Sequence, residues 1–469
     1  MNLWGVIMKK IRFFLALWAG KLLLFVWKRI GRERDDKPGM ASMRLCEDFL
    51  ELVAKPKLTI AVTGTNGKTS ISSMVADMLR RRGMTVSYND WGANHHAGQA
   101  RCILDTVSIF NRPIKDAAVI ESDELISPIN IPRIKPNYII INNVARDSML
   151  RNANPEYIAD RLSKACEGSP ETVVVINADD PLCRFIGENN RKVYFGAEDL
   201  KTNPFDNVAR DFSVCPVCGA SAEYIYRNYR HIGKFRCTDC GLTTPWRDYY
   251  AENISYDGKT FTVNEKNGSF TYPLVSPAVH NVYNVCAIVA LMRDLGISPD
   301  EVAKLLKDTR LTEFRETHHE VNGIEVICRV AKGQNATAAS TVFEQVSKDP
   351  GTKEVVIMLD EMYSNPKKQE TVAWIYDTDY EFLNRDNIHR IVVGGLREKD
   401  HLLRLLLAGV PREKIFCTPD VNKVADIVSG ENVEKIFILH DVNAVSMGHS
   451  VRDQIKEKMT KKGDKVNAC

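Results

Sequence analysis

Residues 58–69 read LTIAVTGTNGKT, a short apolar run followed by Gly64, Thr65, Asn66, Gly67, Lys68 and Thr69. Leu58 to Val62 has the length and apolar content of a buried strand, and Ser70 to Arg82 has the pattern of a helix closed by Gly83. A glycine-containing turn between a strand and a helix N-terminus presents backbone N–H groups and the helix dipole to polyphosphate. Lys68 is then placed to reach the β- and γ-phosphates, and the Thr69 hydroxyl to hold Mg²⁺. The usual loop carries a further glycine five residues before its GK pair, where this chain has Val62. A GKT triplet is common by chance; the strand–turn–helix setting is what makes it an ATP-binding signal.

Outward from this loop, apolar runs at Ala117 to Ile120, Tyr138 to Ile141, Val173 to Ile176 and Lys192 to Phe195 alternate with helical stretches. Such alternation predicts a parallel sheet covered by helices. Residues 204–250 break the pattern with paired cysteines, aromatics and basic side chains, and Asn253 to Tyr272 reads as a small antiparallel section. A helix over Val282 to Leu295 precedes a second α/β run from Gly323, with strands at Val355 to Leu359, Arg390 to Val393 and Lys435 to Leu439. The expected division is an N-terminal apolar and basic helix (1–45), a central ATP-binding α/β domain (46–310) with 204–250 inserted, and a C-terminal Rossmann-like α/β domain (311–469).

The chain has 469 residues, room for two or three domains. Its 63 basic and 60 acidic side chains give a net charge of +3, which lends nothing to a nucleic-acid partner. Residues 11–30 read IRFFLALWAGKLLLFVWKRI, with no small-residue cleavage site after them, which fits a reducing, cytoplasmic setting. The apolar part is cut by Lys21 and falls short of a ~20-residue span. Trp18, Trp27, Lys28 and Arg29 suit an anchor lying at the inner face of a membrane. A helix packed on its own protein or on a partner subunit fits equally.

Cys215-x-x-Cys218 and Cys237-x-x-Cys240 have the spacing of a four-thiolate zinc ribbon, each pair followed by a glycine (Gly219, Gly241). Zn²⁺ held by four thiolates is structural, with no position left for water. A redox role is the competing reading, but neither pair opens a helix in a thioredoxin-like context. The other eight of the twelve cysteines read as small buried hydrophobes.

GTNGKT after a strand resembles the phosphate loop of the Mur ligases and folylpolyglutamate synthetases. Further matches come in the family's order. Glu121 ends AAVIES, where the family places a carboxylate for catalytic Mg²⁺; Asn143, Arg146 and Asp147 lie in INNVARD; Asn177 and Asp180 lie in NADDP on the adenine side. His280, Asn281 and Asn284 form HNVYN, like the family's HN-x-x-N motif. Each alone is also ordinary turn or cap chemistry. With the cysteine ribbon, the chain is similar to the MurT family, Mur ligase-like synthetase subunits of lipid II isoglutaminyl synthase. That resemblance implies ATP, Mg²⁺ and Zn²⁺, a lipid-linked peptidoglycan precursor as acceptor, and a class I glutamine amidotransferase (GatD-like) partner. It implies amidation of the α-carboxylate of D-glutamate through an acyl phosphate, with Lys68 and Glu121 catalytic. It also implies that Asp377, in the WIYD segment, is lent to the partner's cysteine–histidine pair, with Asp379 its rival.

No cysteine of the chain sits in a recognisable glutaminase elbow, so ammonia is expected from solution or from another subunit. Arg315 is a weaker candidate for a γ-phosphate contact. Three stretches depart from the family: Lys332-Gly333-Gln334 where Lys-Asn-Pro is usual, 360–371, and His440-Asp441-Val442-Asn443. A stand-alone Mur-like ligase that joins an amino acid to a carboxylate is the alternative enzyme. A nucleotide-dependent scaffold without turnover is the non-enzyme alternative, against which Lys68, Thr69 and Glu121 all count.

Overall fold

The computed structural model describes residues 3–32, 34–90, 92–147, 154–202, 207–276, 278–307, 309, 316–360 and 372–466. The chain divides into two compact units: 1–145 with 154–206 and 210–312, and 146–153 with 207–209 and 313–469. Arg315 and residues 361–371 lie outside the described residues.

Four helices of the first unit precede or follow its first strand: α1 (Leu3–Arg29), α2 (Lys37–Leu45), α3 (Phe49–Leu52) and α4 (Lys68–Arg81). The strands are β1 (Leu58–Thr63), β2 (Val86–Tyr88), β3 (Ala117–Glu121), β4 (Tyr138–Ile141), β5 (Val173–Asn177), β6 (Lys192–Ala197), β7 (Ala222–Tyr229), β8 (Ile232–Cys237), β9 (Tyr249–Ser255), β10 (Thr260–Glu265) and β11 (Gly268–Pro273). Nine of them form one sheet in the order β11-β10-β9-β6-β5-β4-β1-β3-β2, parallel from β2 to β9 and antiparallel from there to β11.

The apolar strands are continuous rather than alternating because both sheet faces are covered. Ile60 and Val62 point into a cluster with Val75 of α4 and Val285 of the helix Val279–Asp294. Ala61, between them, points the other way, toward Ile139, Ile158 and Leu162. Ala118 and Ile120 of β3 join a third cluster, where Phe13, Ala16 and Leu17 of α1 meet Phe49 and the residues Ile103 and Leu104 of α5 (His96–Asp105). One face of α1 is therefore core of this unit.

The second unit holds β12 (Glu316–Val321), β13 (Ile324–Val330), β14 (Lys353–Met358), β15 (Ile388–Gly394), β16 (Ile415–Thr418) and β17 (Lys435–His440), in the order β12-β13-β17-β14-β15-β16. Only β12–β13 is antiparallel, a hairpin turned by Asn322 and Gly323, both at positive φ. Val356, Ile436 and Ile438 pack with Val451, Ile455 and Met459 of the C-terminal helix.

Candidate functional site

β1 lies between β3 and β4, with Val62 opposite Glu121 and Thr63 opposite Ile141. Strand order reverses on either side of β1, so the crevice beyond its carboxyl end is the ligand position of an open α/β sheet. GTNGKT occupies that position.

Two glycines give the loop its shape. Gly64 has φ 112° and Gly67 has φ 90°. A Cβ on Gly64 would lie 2.8 Å from Asn143 O, and one on Gly67 2.5 Å from Asn284 Oδ1. Between them the loop is laced to β4's continuation. Thr65 N donates to Asn143 O (2.8 Å), Thr65 Oγ1 donates to Ala145 O (3.0 Å), and Asn66 N donates to Asn143 Oδ1 (3.0 Å). Asn142 Nδ2 donates to Asn66 O (3.0 Å) and to Asn284 Oδ1 (2.8 Å), and Asn284 Nδ2 donates to Asn281 Oδ1 (3.0 Å). The asparagines of INN and HNVYN thus act on the GTNGKT loop as one network.

Gly67 is the N-cap of α4 and has no side chain with which to cap it. The N–H groups of the first turn have no intrahelical acceptors and suit an anion. Thr69, in that turn, is exposed. Lys68 Nζ folds back, donating to Gly64 O (2.6 Å), Thr65 O (3.2 Å) and Glu124 Oε1 (2.7 Å). Glu124 is almost wholly buried, its side chain 1 % exposed. No sequence motif marks it beyond a second glutamate three residues past Glu121, just off the strand end. Glu121 itself is buried, and its backbone pairs with the Asn89 amide through two bonds of 2.8 and 3.0 Å.

Asn177 and Asp180 hold backbone. Asn177 Nδ2 donates to Asn142 O (3.0 Å), and Asp180 accepts from Val144 N (2.7 Å) and Leu182 N (2.9 Å). Asp179 between them is fully buried; burial pushes its carboxyl above the usual range although Arg247 lies beside it. It accepts from Tyr283 OH (2.8 Å). His280, one turn before Asn284 on the same helix, is half-buried.

The ribbon, β7 and β8 with their flanks, is anchored to this same region. Gly233 N donates to Asp179 O (2.9 Å), Asn228 Nδ2 donates to Tyr283 OH (2.8 Å), and His231 lies 3.4 Å from Asp180 and 3.7 Å from Asp211. The four Sγ atoms of Cys215, Cys218, Cys237 and Cys240 lie within 4.8 Å of one another. Cys215–Cys240 and Cys218–Cys237 are separated by 3.6 and 3.4 Å. A tetrahedron of Zn–S bonds has edges of about 3.8 Å. Gly219 and Gly241 turn at φ 75° and 73°, and Asp239 N donates to Cys237 Sγ, drawing its thiol down to about 6. The donor set and spacing are compatible with structural zinc.

In the second unit, Asp147 is buried and accepts from Lys332 Nζ (3.0 Å) and Asn335 Nδ2 (2.6 Å). Gly333 N donates to Asp441 Oδ2 (2.7 Å), and a Cβ there would lie 2.6 Å from the same oxygen. Two departures from the family pattern, Lys332–Gln334 and His440–Asn443, are therefore one packed feature. Asp377 is partly exposed and pairs with Arg146 (3.0 Å). Asp379 is buried, accepting from Asn207 Nδ2 and Val208 N at 2.7 Å each.

Residues 62–292 match the Mur ligase middle domain, and residues 333–445 match the MurT ligase C-terminal domain. The chain is 27 % identical, over 92 % of its length and 95 % of the relative's, to the lipid II isoglutaminyl synthase (glutamine-hydrolyzing) subunit MurT of Streptococcus pneumoniae. Identity to the Staphylococcus aureus (strain COL) protein of the same name is also 27 %, over 85 % of this chain and 89 % of that one. A pseudomurein peptide ligase type C from Methanothermus fervidus superposes with a TM-score of 0.65 at 19 % identity, over 87 % of this chain and 81 % of that one, a likeness of fold.

Proposed function

Because the chain belongs to the Mur ligase family, in its MurT branch, we propose that it is the ATP-dependent synthetase subunit of a lipid II isoglutaminyl synthase. The acceptor is the α-carboxylate of D-glutamate in the lipid-linked peptidoglycan stem. A carboxylate oxygen attacks the γ-phosphorus of ATP, the bond to the β-phosphate oxygen breaks, and ADP leaves. Ammonia then forms the C–N bond of the amide, expelling phosphate and losing a proton.

One observation carries the nucleotide assignment: the loop with two positive-φ glycines, at the carboxyl end of β1, bound by the asparagine network to its neighbours. Family membership implies ATP and Mg²⁺. The first-turn N–H groups bind phosphate, and Lys68, released from Glu124, neutralises charge on the transferring phosphoryl group. Thr69 and Glu121 would hold Mg²⁺, which supplies charge neutralisation between the phosphates. Asn177, Asp180, Asn281 and Asn284 keep the surrounding turns in register, and together with His280 they would border the bound nucleotide. Cys215, Cys218, Cys237 and Cys240 would hold Zn²⁺ as a structural ion.

The curated relatives are named as subunits of a glutamine-hydrolysing synthase, which supports a glutaminase partner of the GatD kind as ammonia source. Asp377 is the carboxylate we assign to that partner's cysteine–histidine pair, orienting the imidazole. Its partial exposure favours it over buried Asp379. ADP release that depends on lipid II and on glutamine or ammonia tests the function; ADP release that instead requires a free amino acid would favour the stand-alone ligase.

A further inference from the structure

We infer that α1 and the adjoining 107–114 loop form a surface that lies on an anionic membrane, with lipid headgroups and upper acyl chains as its occupant. α1 is apolar on two opposite faces. Phe13, Ala16 and Leu17 are buried in the first unit, and Gly20 faces α2 so closely that a Cβ would lie 2.1 Å from Ser42 Oγ. On the opposite face Trp4, Ile11, Leu15, Trp18, Leu22 and Phe25 recur at helical spacing and are all exposed, Trp4 at 76 % and Leu22 at 64 %. Single exposed apolar residues are ordinary; a stripe about 30 Å long on a rigid helix marks a contact surface.

The stripe extends beyond the helix. Trp18 Nε1 donates to Ile109 O (2.9 Å), which sets the exposed side chains of Ile109, Phe110 and Ile114 beside it. Charge selects the occupant. α1 contains no acidic residue, and Lys10, Arg12 and Arg29 are exposed along it, as is Lys28, which pairs with Asp105; Arg32 and Arg112 are exposed on the flanking segments, with Arg34 paired to Asp90. Lys10 and Lys28 fall on one side of the stripe and Arg12 on the other, roughly 80–120° from its centre, where headgroup phosphates meet an inserted apolar face. No described helix is long and apolar enough to cross a membrane, and the packed face of α1 is already taken by protein. The surface therefore lies on the bilayer and does not span it.

The inference rests on the lipid-linked acceptor of the proposed function for its purpose, but binding can be read without that acceptor. The full chain should co-sediment with vesicles of phosphatidylcholine containing phosphatidylglycerol, more weakly in high salt and more weakly still with pure phosphatidylcholine. The triple variant Leu15→Gln, Leu22→Gln, Phe25→Gln should lose about tenfold or more of this partition. Its melting temperature and its ADP release with a water-soluble, lipid-free acceptor should match the wild type. Wild-type protein that stays off phosphatidylglycerol vesicles, or a triple variant that binds them undiminished, overturns the inference. So does a triple variant that instead loses its glutaminase subunit or a second copy of the chain. Failure of the ligase reading shows separately, as wild-type protein that releases no ADP with the soluble acceptor.

Discussion

Lys68 bonds to Glu124 and to the loop carbonyls, and the proposed function requires it to exchange them for phosphate oxygens during turnover. Lys68→Ala should therefore do two separable things. Turnover should fall by at least about 100-fold, the usual scale for one electrostatic group at a phosphoryl or oxyanion site. Stability should also fall, because the Glu124 carboxylate, 1 % exposed, loses the Lys68 ammonium; breaking a buried ion pair costs about 3–5 kcal/mol. Adding Glu124→Gln should restore much of the melting temperature and none of the turnover. A double variant no more stable than the single would show that the pair is not what holds this loop. Asp377→Asn should abolish glutamine-dependent amidation and spare ammonia-dependent amidation; equal loss with both nitrogen sources would tie Asp377, through Arg146, to the fold or the synthetase chemistry instead.

At the level of elements, Asp105 joins α1 to α5. Burial alone would raise its carboxyl, but Lys115, hydrogen-bonded to it, and the charges of Arg101 and Lys28 hold it far below the usual range. A depressed carboxylate contributes stability that is present above the unfolded value of about 3.9 and is lost as pH falls through the folded value. Asp105→Asn should cost about 1–3 kcal/mol at neutral pH, and the gap to wild type should begin to narrow below about pH 4 and keep narrowing as pH falls further. A gap independent of pH would remove the ion-pair account. The ribbon gives a second prediction. The sequence marks 204–250 only as an insertion, because Cys-x-x-Cys spacing says nothing about what the far end of a hairpin touches. The structure puts Gly233, Asn228 and His231 against Asp179, Tyr283 and Asp180. Metal removal, or Cys237→Ser, should therefore raise amide exchange in 210–250 and also weaken ATP binding. Unchanged ATP affinity in protein stripped of metal would contradict the coupling. Asn228→Ala should weaken ATP binding in the same direction with the metal still bound.

Across the whole molecule, the elements with strong periodicity were legible and the short or polar ones were not. The buried strands at 117, 138, 173 and 192 and the helix after the phosphate loop agree with the sequence reading to within two residues or so at most ends. β2 has three residues, too few to show a period, and β12 reads ETHHEV, an edge strand whose charges hide it. The strand–turn–helix position of GTNGKT and the helical position of HNVYN could be read from the sequence. Glu124, and the union of Lys332–Gln334 with Asp441, could not, since each depends on contacts between residues distant in sequence or hidden beside a stronger motif. In the proposed function this chain activates a carboxylate with ATP so that ammonia can take it. This function is tested most directly by incubating the chain and its glutaminase subunit with lipid II, MgATP and amide-labelled ¹⁵N-glutamine. Mass spectrometry of the stem peptide should show one ¹⁵N in an amide on D-glutamate, with one ADP formed per amide. Lipid II recovered without label while ATP is consumed, or label absent although the amide forms from an added amino acid, would contradict the account.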